Sequence, residues 1–221
     1  MNNIKVKLIS ANFKHAKFNF ENSSELDNLE IDVFNYDDSN FPSRSNSLHP
    51  RLKGKIPKML GWMYDNEKEY DYYVWSDSKF HFKKKCISEL VKQIKDFDMC
   101  LFKHPHRSRI IDEYNFVKEN IKIGNRYLTD RYYGENMEKQ IQDYISDKNF
   151  NDNCLFACGL FIYSKKLIAN KETNLLKEWF FHNVFYSIQD QLSLPYLIQK
   201  FKINYTTFDF DIFNNVFTNY G

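Results

Sequence analysis

The chain has 221 residues, enough for one domain with a full hydrophobic core. Hydrophobic residues make up 43% and aromatic residues 18%, a composition that excludes intrinsic disorder as the default state. The 31 basic and 29 acidic side chains leave a net charge of +2, too balanced for a general field to attract nucleic acid.

The first half of the chain alternates apolar and polar segments. Runs of β-branched and aromatic residues predict strands over Ile4–Ala11, Leu29–Tyr36 and residues 70–75. Residues 37–50 are rich in Ser, Asn, Asp and Pro and predict a loop, either a lid or a plain connector. Residues 55–64 predict a helix with Pro57 in its first turn, where a missing N–H costs little.

The alternation continues in the second half. Helices are predicted over residues 87–96, 108–119, 175–187 and Asp190–Lys200, with a charged helical region between 120 and 148. Strands are predicted over residues 98–103, 153–163 (interrupted at Gly159) and 203–208. This order of elements indicates an α/β fold, a sheet with helices on both faces, in a single domain over residues 1–221.

The cysteines and the N-terminal residues bear on location. The four cysteines have no CxxC spacing, so we expect reduced thiols that pack as small hydrophobes, and no zinc site. Residues 1–10 lack the apolar core of a signal peptide, and no apolar run approaches the roughly 20 residues that span a bilayer. We therefore expect a cytoplasmic protein without a transmembrane segment, for which peripheral membrane contact stays open.

The most informative segment is the end of the strand at residues 70–75. It leads into Ser76, Asp77, Ser78 and Lys79, so a carboxylate, two hydroxyls and an ammonium follow a buried strand. Ligands of open α/β sheets gather at the carboxyl ends of strands, and this group suits a metal ion or a phosphorylated ligand. The alternative is that Asp77 only caps the turn.

Further polar motifs fall at predicted element ends. Lysines and arginines there are candidate phosphate contacts, and carboxylates are candidate bases. Each has a structural alternative: a solvated helix start, a purely structural histidine before Pro105, a helix cap, or a charged helix face. The residues are Lys55, Lys58, His104, Arg107, Glu113, Asp190 and Gln191.

Together these motifs resemble the glycosyltransferase-like family of plant turgor-regulation and mucilage-related proteins. Its K-x-P-K element corresponds to KIPK at residues 55–58, and its W-x-D-[GS]-K element to WSDSK at 75–79. Its H-x-x-R segment corresponds to HPHR at 104–107, and its R-D-Q-[LI]-S segment to QDQLS at 189–193. The similarity spans about two thirds of the chain; Gln189 stands where the family often has a basic residue, and Ser78 where Gly is more usual.

The resemblance implies a GT-A-like fold, in which a mixed sheet flanked by helices carries a carboxylate at a strand end. It implies that Asp77 holds Mn²⁺ or Mg²⁺ against the diphosphate of a nucleotide-sugar donor, with Asp190 as the base or sugar-orienting group and Glu113 as its rival. The implied donor-binding residues are Lys55, Lys58, Trp75, Ser78, Lys79, His104, Arg107 and Gln191.

We therefore predict a glycosyltransferase that moves a sugar from a nucleotide-sugar donor to a saccharide acceptor, in surface polysaccharide or glycan synthesis. The alternative from another class is a non-catalytic nucleotide- or carbohydrate-binding module with the same fold, because only one carboxylate stands at the strand end. A nucleic-acid binder that uses lysines and aromatic rings is the weakest alternative, and its affinity should fall steeply with salt.

Overall fold

A six-stranded mixed sheet forms the centre of the protein. This computed structural model describes residues 3–13, 28–41, 48–64, 69–82, 86–169, 174–215 and 218–220. The strands lie in the order β2-β1-β3-β6-β5-β7. Their bounds are β1 Ile4–Ala11, β2 Leu29–Tyr36, β3 Tyr72–Asp77, β5 Met99–Lys103, β6 Phe156–Ser164 and β7 Tyr205–Thr207; a separate pair consists of β4 Phe80–Phe82 and β8 Thr218–Tyr220.

Strand directions bring several chain ends to one edge of the sheet. β1 pairs in parallel with β2 and β3, and β5 pairs in parallel with β7. β6 runs antiparallel between β3 and β5. The carboxyl ends of β1, β3 and β5 therefore meet at the edge where β6 begins, which is the edge predicted to carry the site.

Helices cover both faces of the sheet, as the alternation of elements predicts. The helices are α1 Pro50–Leu60, α2 Cys86–Ile94, α3 Ile110–Lys122, α4 Arg126–Tyr132, α5 Met137–Ser146, α6 Lys165–Ala169, α7 Leu175–Phe185 and α8 Asp190–Lys200. On one face, α1, α7 and α8 pack Met59, Trp179 and Leu194 into a buried cluster, and on the other α2 buries Leu90 and Ile94. A third cluster joins α3, α4, α5 and α8.

The start of α1 differs from the prediction. The helix begins at Pro50, the His49 ring accepts a hydrogen bond from the backbone N–H of Arg51, and Pro57 lies inside the helix. Placing Pro57 in the first turn was therefore wrong, because Pro50 occupies the position where a missing N–H is tolerated. Of the predicted loop at 37–50, residues 42–47 lie outside the described part of the chain.

Glycines account for two irregularities in these elements. The charged region that follows residue 119 is helical as predicted, but it is interrupted where Gly124 and Gly134 adopt φ values of +82° and +83°. These glycines separate α3 from α4 and α4 from α5. In β6, the register against β5 shifts between Leu101 and Phe102, so residues 158–160 have no partner on β5. The predicted interruption at Gly159 is this irregularity, and irregular strands often lie beside functional sites.

The mixed α/β architecture with helices on both faces confirms the predicted fold class. The short strands β4 and β8 and the helix α6 were not predicted. Within the described ranges, no helix has both the length and the apolar character needed to cross a bilayer.

Candidate active site

A cleft of about 370 Å³ opens at the edge of the sheet where β3 ends. Among the described residues, six basic and three acidic side chains line it, which suits an anionic ligand. Nine of the eleven predicted site residues lie there: Lys55, Lys58, Trp75, Asp77, Lys79, Arg107, Glu113, Asp190 and Gln191. Ser78 lies in the adjoining turn, and His104 lies outside the lining.

Asp77 stands at the end of β3 and faces this cleft. Its Oδ1 accepts a hydrogen bond from Trp75 Nε1 at 2.9 Å and lies 3.8 Å from the Nζ of Lys58. The side chain is 35% exposed, so the carboxylate is held in place yet open to a ligand. A Cβ on Gly159 would lie 2.8 Å from a Phe80 ring carbon and 3.3 Å from Asp77 Oδ2. The glycine therefore gives the carboxylate its space.

A buried cluster of three charges lies beside Asp77. The spacing of Lys55 and Lys58 puts both ammoniums on one face of α1, and each Nζ lies 2.6 Å from Oδ2 of Asp190 at the start of α8. Trp179 Nε1 donates to the backbone oxygen of Asp190 at 3.0 Å and fixes the start of that helix. One carboxylate between two ammoniums leaves an excess positive charge beside Asp77.

The cluster sets the protonation of its members. Burial acts to raise the pKa of Asp190, but Lys55 and Lys58 outweigh it, and the pKa falls well below its usual range. Burial lowers the pKa of Lys55, whereas Asp190 and Asp77 outweigh burial and raise that of Lys58. Asp190 is consequently a fixed anion and a weak base, and it is better suited to orienting a sugar hydroxyl than to removing a proton.

A second hydrogen-bonded chain supports the opposite wall. Arg107 Nε donates to one oxygen of Glu113, and Gln189 Nε2 donates to the other at 2.8 Å. Tyr132 in turn donates its hydroxyl to Gln189 Oε1 at 2.5 Å, and Gln189 Nε2 also contacts Gln191 Oε1 at 3.0 Å. Both oxygens of Glu113 are thus engaged. Gln189 stands where the family often has a basic residue, and in this chain it connects Glu113 on α3 with Tyr132 on α4.

His104 orders the loop that carries Arg107. Its Nδ1 accepts hydrogen bonds from the backbone N–H groups of His106 at 3.2 Å and Arg107 at 3.1 Å. Burial, with the nearby Arg107, lowers the pKa of His104 to about 4, so the ring is neutral at pH 7. His104 and Arg107 also line a neighbouring cleft of about 560 Å³, and Arg107 is shared between the two.

Several cleft residues carried no motif in the sequence. Arg51, Tyr127 and Arg131 form part of the lining, together with Phe116 and Cys158. Burial raises the pKa of the Cys158 thiol well above its usual value, so this cysteine is not a nucleophile. Arg51 follows the proline that starts α1, and the others lie in segments whose only signal was charge or apolarity.

The donor set fits a divalent cation only through Asp77. No group of three His, Cys, Asp or Glu side chains with metal-binding geometry occurs in the described part of the chain. Mg²⁺ nevertheless commonly binds through one or two carboxylates, with water and substrate phosphates completing its shell. Asp77, partly exposed at the cleft, can supply that single carboxylate.

A match to a family model agrees with the resemblance seen in the motifs. A family model described as TOD1/MUCI70, glycosyltransferase-like domain, matches residues 44–220. No curated protein matches the sequence. Among solved structures, the apo crystal structure of mouse xyloside xylosyltransferase 1 is similar with a TM-score of 0.48 at 10% identity, over 93% of this chain and 86% of that one.

Proposed function

Because this chain belongs to the TOD1/MUCI70 glycosyltransferase-like family, we propose that it transfers a sugar from a nucleotide-sugar donor to a saccharide acceptor within the cleft. The observation that carries the proposal is the position of Asp77, which faces the cleft 3.8 Å from the buried ammonium of Lys58. A diphosphate leaving group gains negative charge as the glycosidic bond breaks, and this end of the cleft supplies opposing charge.

The donor diphosphate would lie between Asp77 and the lysines. Asp77 would hold Mn²⁺ or Mg²⁺, whose positive charge stabilises the departing diphosphate. Lys58 and Lys79 line the same end of the cleft and add positive charge. Arg107, fixed by Glu113, offers a planar fork suited to a phosphate or a sugar hydroxyl.

The sugar of the donor would lie next to Asp190 and Gln191. Asp190 is ionised and immobilised by two lysines, so it can accept a hydrogen bond from a sugar hydroxyl without giving up its charge. Gln191 lines the cleft one residue further along α8 and can donate or accept. We place the reaction in surface polysaccharide or glycan synthesis and in the cytoplasm, in keeping with four unpaired cysteines.

A non-catalytic nucleotide- or carbohydrate-binding module is the second candidate. The observation that favours it is the engagement of two of the three cleft carboxylates in the free protein. Asp190 is bound by two lysines, and Glu113 by Arg107 and Gln189. A binding module needs such fixed walls, whereas inverting transfer also needs a side chain that accepts the proton of the acceptor hydroxyl.

The test is hydrolysis and transfer with a panel of nucleotide sugars and Mn²⁺. We compare the wild type with Asp77→Asn, which keeps an acceptor for Trp75 Nε1 but loses the charge. We expect the rate to fall on the order of 100-fold, as when one transition-state contact is removed. The matched control is Asp96→Asn, an exposed carboxylate two residues after α2. Asp96 lies near Tyr72, at the opposite end of β3 from Asp77.

Three outcomes decide between the candidates. Turnover that depends on both Asp77 and added Mn²⁺ supports a metal-assisted transferase. Turnover that survives both Asp77→Asn and chelation contradicts the role of Asp77. Binding of uridine diphosphate without turnover of any donor contradicts the transferase and supports the module.

A further inference from the structure

One wall of the cleft, here called the outer wall, carries arginines that are not paired with carboxylates of the described residues, unlike Lys55, Lys58 and Arg107. This outer wall consists of Arg51 from α1 and Tyr127 and Arg131 from α4, beside Phe116 from α3. Lys55 and Lys58 are paired with Asp190, and Arg107 with Glu113. Within the described residues, neither Arg51 nor Arg131 has a carboxylate at ion-pair distance.

The two arginines are held in place by groups that do not neutralise them. Arg51 donates from NH1 to the backbone oxygen of Asp130 at 2.8 Å. The Arg131 guanidinium lies 5.0 Å from the centre of the Tyr127 ring and 5.6 Å from that of Tyr132, and its NH1 donates to the Tyr127 hydroxyl. Its Nε is buried and, among the described residues, has no hydrogen-bond partner. Such an unpaired buried donor is costly to the free protein.

Aromatic rings accompany these charges. Tyr127 is 61% exposed and Phe116 is 40% exposed, although both line the cleft. Arg107 covers the Phe116 ring with its guanidinium 4.0 Å from the ring centre. An exposed ring with a polar tip is suited to the apolar face of a sugar and its surrounding hydroxyls. The combination of rings and forked cations matches a saccharide that carries an anionic group.

A chain of contacts links Asp77 to the outer wall through Asp190. Contacts run from Asp77 to Lys58 at 3.8 Å and from Lys58 to Asp190 at 2.6 Å. From Asp190, the backbone leads to Gln189, which Tyr132 contacts next to Arg131. If the donor diphosphate lies at Asp77 and its sugar at Asp190, the acceptor approaches from the Arg131 side.

We propose that the outer wall is the acceptor subsite and that it selects a saccharide bearing a negative charge, in the form of a carboxylate or phosphate group. The assignment of this wall to the acceptor rests on the proposed transferase function. Arg51 and Arg131 bind the anionic group as forked donors, and Tyr127 packs against the sugar ring.

The test is isothermal titration with four probes. Desulfated chondroitin hexasaccharide carries carboxylates, mannopentaose 6-phosphate carries a phosphate, chitohexaose is neutral, and inorganic phosphate is the anion alone. We expect both charged saccharides to bind at least about tenfold more tightly than chitohexaose, as a charge-assisted pair provides. The preferred charged probe identifies the anionic group, and tighter binding of inorganic phosphate than of either saccharide contradicts a saccharide site.

Variants separate this wall from the donor site. Arg131→Gln and Arg51→Gln should each lower the affinity for the charged saccharide about tenfold or more. This loss should be at least about tenfold larger than the loss of affinity for uridine diphosphate. Arg131→Lys keeps the charge, loses the fork and should restore only part of the affinity. The matched control is Arg126→Gln, whose side chain is 94% exposed on the same helix and should have no effect.

The outcomes keep the two proposals apart. Equal affinity for neutral and charged saccharides, or an Arg131→Gln variant that binds like the wild type, overturns the acceptor subsite and leaves the donor test untouched. An equal loss of uridine diphosphate and saccharide binding assigns Arg131 to the donor and also overturns it. Selective saccharide binding without donor turnover refutes the transferase while the charge-selecting wall stands.

Discussion

Replacing Asp190 by Asn should destabilise the protein strongly, because the carboxylate neutralises two buried ammoniums. The side chains of Lys58, Asp190 and Lys55 are only 5%, 8% and 13% exposed, and each Nζ lies 2.6 Å from Asp190 Oδ2. Removing one partner from such a cluster leaves uncompensated buried charge, which costs about 3–5 kcal/mol. We expect a loss of that size in the free energy of unfolding at pH 7.

The pH dependence of this loss has a defined sign. The folded-state pKa of Asp190 lies below its unfolded value of about 3.9, so its stabilisation is present above that pH and is lost as the pH falls further. The difference between wild type and Asp190→Asn should therefore be full at pH 7 and shrink in acid. It should also shrink at alkaline pH, where Lys55, whose pKa burial already lowers, gives up its proton.

The assay is urea denaturation followed by circular dichroism at pH 4, 7 and 10. Adding Lys55→Met to Asp190→Asn removes one of the two unpaired charges and should recover part of the loss. The exposed control Asp96→Asn should change the free energy of unfolding by no more than about 0.5 kcal/mol. A loss below about 1 kcal/mol at pH 7, or one that Lys55→Met deepens, would refute the assigned charges.

Three further changes test the cleft. Gly159→Ala should lower the free energy of unfolding in urea by about 1–3 kcal/mol and weaken donor binding, because the new Cβ would meet Phe80 and Asp77. Gly54→Ala, which has open space around it, should not destabilise the protein, and equal effects of the two changes would contradict this prediction. Because the buried ring of His104 is neutral, with its pKa lowered to about 4, the free energy of unfolding should fall as the pH drops from 6.5 towards 4. His104→Asn should reduce this dependence in the same denaturation experiment, and an unchanged dependence on pH would contradict the buried neutral ring. The Asp190→Asn variant should bind uridine diphosphate more tightly in calorimetry, because Lys55 and Lys58 lose their carboxylate partner and can contact the phosphates. It should nevertheless hydrolyse donor sugars more slowly. Weaker binding of uridine diphosphate would place the diphosphate elsewhere.

The inner part of the site was open to prediction from the sequence because strand ends and motif order constrain it. A buried strand must emerge at an edge of the sheet, and Asp77 follows such a strand. Lys55 and Asp190 lie 135 residues apart in sequence but form an ion pair, because Lys55 lies in the middle of α1 beside Asp190 at the start of α8. Their pairing, unlike their location, depends on side-chain directions that no pattern reports.

The outer part of the site could not be predicted in the same way. Tyr127 and Arg131 lie on α4, a helix of seven residues that packs mainly on α3. Their segment showed charge without a clear apolar period, and its boundaries depend on glycines at positive φ. Whether an arginine there points into solvent or into the cleft is decided by tertiary packing, which the local sequence does not encode.

The pairing of charges orders the cleft from inside to outside. A buried ion cluster is rarely the most stable choice, since apolar residues of similar volume often serve stability equally well. Keeping Lys55, Lys58 and Asp190 therefore points to a need for fixed charge at that place, which is where the glycosidic bond would break. Arg51 and Arg131, by contrast, leave their charge for a ligand to neutralise. A site whose inner lysines are paired with a buried carboxylate and whose outer arginines have no carboxylate partner among the described residues attracts an anionic ligand without binding it too tightly where the reaction occurs.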